Sequence, residues 1–153
     1  MRLQLLSAGR IKACPERELA ADYLSRALKL GRTAGLTEIG EHEVPESDKA
    51  QEAQALLDKL RPGAYAIALD EHGRMLDSFK FCALLRARMD QGVPAIAFLI
   101  GGPDGHGAAV LERADFRLSL GPMTWPHRLC RTLIAEQIYR AVTIMVNHPY
   151  HRS

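Results

Sequence analysis

The residues best suited to chemistry in this chain sit in two glycine-bearing loops and a histidine-rich terminal stretch. Gly101-Gly102-Pro103-Asp104-Gly105 follows an apolar run, and glycines there permit positive φ and close approach of a ligand to the backbone. A tight structural turn would use the same residues. The glycine spacing matches neither the phosphate-binding P-loop nor the dinucleotide fingerprint. Leu120-Gly121-Pro122-Met123-Thr124-Trp125-Pro126-His127 mixes apolar side chains with backbone amides, a combination that suits an adenine ring. Trp125 could stack on a base or plug the core. His127, at the first turn of the helix that follows, could accept a proton or simply bond to nearby backbone. Glu136 and Arg140 stand four apart with the acid first, the favourable order for a helical pair. The stretch Asn147-His148-Pro149-Tyr150-His151-Arg152 crowds two histidines, a tyrosine and an arginine into a region that is usually frayed. Two histidines could ligate a metal, but no third protein ligand is evident, so no metal is expected. Docking of this segment into a site, or onto a partner subunit, is the preferred reading.

Positioning these loops requires a scaffold, and the hydrophobic pattern supplies one. Residues 2–8 alternate and read as a strand; Pro15 suits a first helical position ahead of Leu19, Tyr23, Leu24, Ala27 and Leu28, with Gly31 and Gly35 ending the helix. A weaker strand covers 36–44 and is closed by Pro45. Ser47 is expected to cap a helix with Ala50, Ala53, Leu57 and Leu60 on its apolar face. After the turn Arg61-Pro62-Gly63, residues 64–69 run continuously apolar, as a strand covered on both faces should. Ser78 is expected to cap the next helix, reaching about Gln91, and Val93 to Ile100 forms a second buried strand. A short helix at 108–114, a strand at 116–120 and a long helix from His127 to about Val146 complete the pattern. Such alternation predicts an α/β fold with a mostly parallel sheet and helices on both faces. Ligands in such sheets bind beyond the carboxyl ends of the strands. That rule selects Leu69-Asp70, Gly101 to Gly107 and Leu120 to His127.

Composition sets the bounds. With 153 residues, 47% of them hydrophobic and 25% charged, the chain fits one domain, 1–153, with a real core. No apolar run is long enough to cross a bilayer and the opening residues do not read as a secretory signal, which points to the cytoplasm and no membrane. Cys14, Cys82 and Cys130 form no CxxC pair and are expected to be reduced thiols on buried faces. The net charge of +2 permits an RNA partner without demanding one. From Arg113 onward there are six arginines, two acids and no lysine. Arginine's planar fork matches phosphate, yet a solvated helix face with snorkelling stems would look the same.

Four stretches in order carry a resemblance: Leu99 to Gly105, Met123 to His127, Ala135-Glu136-Gln137-Ile138-Tyr139-Arg140-Ala141, and Asn147 to Arg152. They closely resemble the RlmH family of pseudouridine N3-methyltransferases acting on 23S ribosomal RNA, and the likeness extends over essentially the whole chain. The resemblance implies a SPOUT-type fold with a C-terminal trefoil knot, a homodimer, and S-adenosylmethionine as methyl donor. By matching positions, Leu69, Gly101, Leu120, Gly121, Pro122, Met123, Thr124 and Trp125 should contact the cofactor. His127, Arg140, Tyr150 and His151 fall where the family's catalytic or RNA-contacting residues lie, and a partner's terminal segment should complete each site. The implied substrate is a large-subunit pseudouridine on the assembled ribosome. Its N3 proton would leave to His127 or His151, or an arginine would stabilise the imide anion. Two departures stand out: Gly121-Pro122 replaces a serine followed by a small or basic residue, and His106-Gly107 replaces a more apolar start. Composition and periodicity alone leave open a non-catalytic α/β module that binds a nucleotide or RNA. A transfer RNA substrate is disfavoured by the lack of an appended RNA-binding domain.

Overall fold

A computed structural model describes residues 1–152. Its elements are β1 (Arg2–Ala8), α1 (Pro15–Gly31), β2 (Glu38–Val44), α2 (Lys49–Asp58), β3 (Tyr65–Met75), α3 (Ser78–Asp90), β4 (Ala95–Ile100), α4 (Ala108–Arg113), β5 (Phe116–Ser119) and α5 (His127–Met145). Short 3-10 turns follow α1 and α5, at Arg32–Ala34 and Pro149–Arg152. The five strands form one sheet in the order β2-β1-β4-β3-β5, and every pairing is parallel. The alternating strand–helix pattern is thus realised as expected.

Strand alternation divides the core into two layers. Leu3, Leu5, Ile67, Ile96 and Phe98 face α1, α3 and α5 through Leu24, Phe81, Leu85, Ile134 and Ile138. On the other face, Leu6, Ala66, Ala68, Ala97 and Leu99 meet Ala53 and Leu56 of α2 and Val110 of α4. That second face is rich in alanine, and small side chains let helices approach the sheet closely. β4 is buried along its whole length, which explains its unbroken apolar run. Cys82 is buried, whereas Cys14 and Cys130 are only partly so; all three are free thiols.

Four local expectations need correction. Asp48, not Ser47, caps α2, accepting from Gln51 N at 2.9 Å, and Asp77, not Ser78, caps α3, accepting from Lys80 N at 2.7 Å. A carboxylate is the better partner for the positive end of a helix. The buried face of α2 is Glu52, Ala53 and Leu56, while Ala50 is exposed and Leu57 and Leu60 are only partly covered. β3 does not stop at Leu69. Leu69 and Arg74 both pair with Leu118, so residues 70–73 bulge outward before the ladder resumes. Gly73 makes this possible, since a Cβ there would lie 2.6 Å from the Arg117 carbonyl oxygen.

The last connection matters most for function. β5 lies at one edge of the sheet, yet Arg131 on the second turn of α5 reaches Glu43 of β2 and the Gly9 carbonyl just beyond β1. Residues 120–126 therefore cross the carboxyl edge of the sheet. From β5 to β1 is about 14 Å at ordinary strand spacing. Seven residues reach at most about 24 Å, enough for the crossing.

Candidate active site

Beyond β4 the chain enters a glycine turn. Gly102 and Gly105 form an antiparallel bridge, with Gly105 N donating to Gly102 O at 3.0 Å, and Gly105 takes φ +80. A Cβ at Gly101 would lie 3.0 Å from the Gly105 carbonyl carbon. The turn is thus as tight as the structural reading required, and its tip (Pro103, Asp104 and Gly105) is exposed. Two groups that sequence reasoning missed support it from beneath. Glu52 of α2 is 6% exposed; its Oε2 accepts from Ser47 N at 3.0 Å, and its Oε1 lies 3.3 Å from where a Gly102 Cβ would stand. His106 Nε2 lies 2.9 Å from Leu99 O. A carbonyl only accepts, so Nε2 carries the proton. Burial pushes the His106 ring below its ordinary value of 6.5, although the Leu99 carbonyl, Asp70 and Glu52 pull the other way. An acid on an amphipathic helix and a lone histidine after a glycine turn carry no sequence signal of such burial.

The second loop starts on β5. Ser119 Oγ donates to Glu71 O at 3.0 Å and accepts from Gly121 N at 3.1 Å, tying the loop to the bulged part of β3. Gly121 takes φ +115, which strongly favours glycine. Leu120 and Leu69 are partly buried, while Pro122, Met123, Thr124 and Trp125 are exposed. Trp125 is therefore not a core plug: it is 40% exposed, and Met123 is 70% exposed. His127 is the first residue of α5, partly buried behind Pro126. Leu69, Gly101 and the 120–125 loop all lie along the carboxyl edge, where the topology rule put them.

Arg131 holds this edge together. It is 7% exposed, and its guanidinium donates to Glu43 Oε2 and to Gly9 O. Burial pushes the Glu43 carboxyl up, but the Arg131 bond and the Ile11 amide at 3.0 Å outweigh it and hold it below its ordinary value. Arginines on an amphipathic helix read as surface groups, and this one is not.

The remaining candidates gather further down α5. Arg140 gives Nε and Nη2 to Glu136 Oε1 at 2.9 and 2.7 Å, and the Tyr150 hydroxyl donates to the same oxygen at 2.9 Å. The expected Glu136–Arg140 pair is real and partly buried. Burial, with Tyr23 and Glu136 close by, pushes the Tyr150 phenol far above its ordinary value, so it stays a donor. His151 meets the Phe79 ring edge-on at 6.4 Å, and its Nδ1 is buried with no protein hydrogen-bond partner among the described residues. Ser78 Oγ donates to Gln137 Oε1 at 2.8 Å, which joins the start of α3 to this cluster. The structure thus gathers Arg140, Tyr150 and His151 along α5 and the first turn of α3. His127 stands apart, nine residues or about 14 Å up the helix from Glu136. Among the described residues, no group of three His, Cys, Asp or Glu side chains could hold a metal ion. No helix is long and apolar enough to cross a membrane.

Comparison with known proteins bears on the family and the fold. The family model described as "Predicted SPOUT methyltransferase" matches residues 1–151. The chain is 48% identical over 159 residues to "Ribosomal RNA large subunit methyltransferase H" of Rhizobium etli, covering 99% of each chain. It is 47% identical to the protein of that name from Brucella anthropi over 160 residues, covering 100% of each. Among solved structures, a probable methyltransferase from Bordetella pertussis Tohama I superposes with TM-score 0.54 at 15% identity, covering 92% of this chain and 95% of that one. A probable methylase family protein from Haemophilus influenzae Rd KW20 gives TM-score 0.51 at 14% identity, covering 97% and 69%. Those two likenesses concern the fold alone. Matched along nearly its entire length by the family model, and close to half identical to full-length relatives, the chain belongs to the SPOUT methyltransferase family.

Proposed function

We propose that this chain transfers a methyl group from S-adenosylmethionine to N3 of a pseudouridine in 23S ribosomal RNA, acting in the cytoplasm as a single-domain homodimer on the assembled ribosome. One observation carries the reading: 48% identity over the full length with a protein named Ribosomal RNA large subunit methyltransferase H. The carboxyl edge fits the donor. Gly101 packs tightly against the Gly105 backbone, Gly121 takes a left-handed φ, and Met123 and Trp125 offer exposed apolar surface. When bound there, the sulfonium supplies an electrophilic methyl group. The chain's own work is alignment of donor and acceptor and removal of the N3 proton.

Leu69, Gly101 and the loop Leu120, Gly121, Pro122, Met123, Thr124 and Trp125 would hold the cofactor. Residues 120–126, crossing the sheet edge, are the segment we assign to the trefoil knot. His151 and His127 are the two candidates to receive the N3 proton. Arg140, held by Glu136 through Nε and Nη2, would stabilise an imide oxygen or meet a phosphate. The separation between His127 and the Glu136–Tyr150 cluster supports a composite site, in which one copy's terminal segment serves its neighbour's cofactor loops. Exposed Phe79, Met123 and Trp125 supply apolar surface for such an association.

The test is transfer of a tritiated methyl group to assembled ribosomes, with isolated RNA and isolated subunits as controls, alongside titration calorimetry with S-adenosylmethionine. Label on the assembled ribosome and measurable heat are expected. No heat and no label would leave a non-catalytic RNA-binding module instead.

A further inference from the structure

We infer that Arg26, on α1, is a positioning residue for the reaction, holding the C-terminal segment that carries Tyr150 and His151 in its working conformation. The inference rests on the reading above for what that segment does. The Arg26 guanidinium lies 4.4 Å from the centroid of the Tyr139 ring, 5.8 Å from that of Tyr150 and 5.9 Å from that of Tyr23. Its Nη2 donates to the Tyr139 hydroxyl at 3.1 Å across 113 residues of sequence. Its other link, Nη1 to Asp22 at 3.4 Å, is an exposed pair one helical turn away and contributes little.

The rings form a tilted cluster, with interplanar angles of 35° between Tyr23 and Tyr139 and 55° between Tyr139 and Tyr150. Tyr23 and Tyr139 are 5.9 Å apart, Tyr139 and Tyr150 only 4.6 Å, and Tyr139 is 2% exposed. Tyr150 has two guanidinium groups near its ring, Arg26 at 5.8 Å and Arg140 at 5.0 Å from its centroid, while its hydroxyl is bound to Glu136. The tilted Tyr139 contact and the two nearby guanidinium groups restrain the Tyr150 ring, and the Glu136 bond holds its hydroxyl end. His151 is the next residue, so its ring is aimed by the same constraints. Arg26 itself contacts no group assigned to cofactor or base, and acts through Tyr139 and Tyr150.

The test compares wild type, Arg26→Met and Arg26→Lys by three measurements. These are methyl transfer to ribosomes, S-adenosylmethionine affinity by calorimetry, and the rate at which carboxypeptidase Y releases the terminal residues. For Arg26→Met we expect kcat to fall roughly 10- to 100-fold, the scale for a misplaced catalytic group. Cofactor Kd should stay within about twofold and terminal release should accelerate. Arg26→Lys keeps a cation over the rings and loses the planar fork, so it should recover part of both losses. An unchanged kcat and an unchanged release rate in Arg26→Met overturn the inference. A parallel loss of kcat, cofactor affinity and thermal stability, unrelieved by lysine, also overturns it, because that is the pattern of simple destabilisation. Absence of transfer by the wild type would sink the proposed function instead, while the release rates would still decide whether Arg26 holds the segment.

Discussion

Arg131→Met offers a sharp test of how the crossing loop is anchored. The substitution keeps the apolar stem and deletes two bonds, one to Glu43 and one to the Gly9 carbonyl. Removing one member of a buried ion pair costs about 3–5 kcal/mol. Here the Glu43 side chain is 24% exposed and retains the Ile11 amide, so water relieves part of that cost. The expected loss is about 2–3 kcal/mol. At this size the midpoint of thermal unfolding should fall by about 5–10 °C. The linkage has a definite sign. Glu43 is held below its ordinary 4.5 in the folded state, so its contribution is present at neutral pH and is lost as pH falls through the folded value. The gap between wild type and variant should therefore narrow in acid. Urea unfolding followed by far-UV circular dichroism at pH 7 and pH 4 measures both quantities, and Glu43→Gln with the double variant closes a mutant cycle. A variant within 0.5 kcal/mol of wild type at pH 7, or a gap that widens in acid, would refute the claim that this pair pins α5 to β1 and β2.

Three other outcomes are expected. Gly101→Ala should weaken S-adenosylmethionine binding about tenfold or more with folding retained, because its Cβ would press on the Gly105 backbone at 3.0 Å; calorimetry and circular dichroism check this. Arg140→Ala and His151→Ala should each lower single-turnover methyl transfer more than they lower cofactor affinity, and wild-type rates in both would remove those residues from the mechanism. His106 is held below 6.5 in the folded state, so the unfolded chain binds more protons just below that pH and stability rises with pH through the window. In His106→Gln that part of the slope should vanish; an unchanged difference in stability between pH 5 and pH 7 would contradict the assignment.

Much of the scaffold was legible because its signals are local. The continuous apolar runs at 64–69 and 95–100, and Pro15 at the start of α1, each report a backbone state through neighbouring residues. Helix starts were misplaced by one residue at Ser47-Asp48 and Asp77-Ser78, where two good capping types stand side by side and only geometry chooses between them. The extension of β3 through Asp70-Glu71-His72-Gly73 was illegible, since those residues read as loop and their pairing depends on β5. The glycine loops were visible as places where backbone is bare, but their partners came from the family resemblance. Arg131 was missed because its partners lie far away in sequence, and Glu52, although its bond to Ser47 N is local, because an ionised side chain carries no mark of its burial.

One helix joins His127 at its start to Glu136 and Arg140 farther along, and a helix is a screw as well as a spacer. Adding a single residue between them would move everything downstream by about 1.5 Å and rotate it by about 100°. Glu136, Arg140 and the terminal turn would then swing together off the faces of α1 and α3 that hold them, through Arg26 to Tyr139 and Ser78 to Gln137, while His127 stayed in place. Insertions and deletions should therefore be tolerated in the exposed segment before α2 and excluded from the first half of α5, so a deep insertion scan would trace the reach of this coupling along the chain.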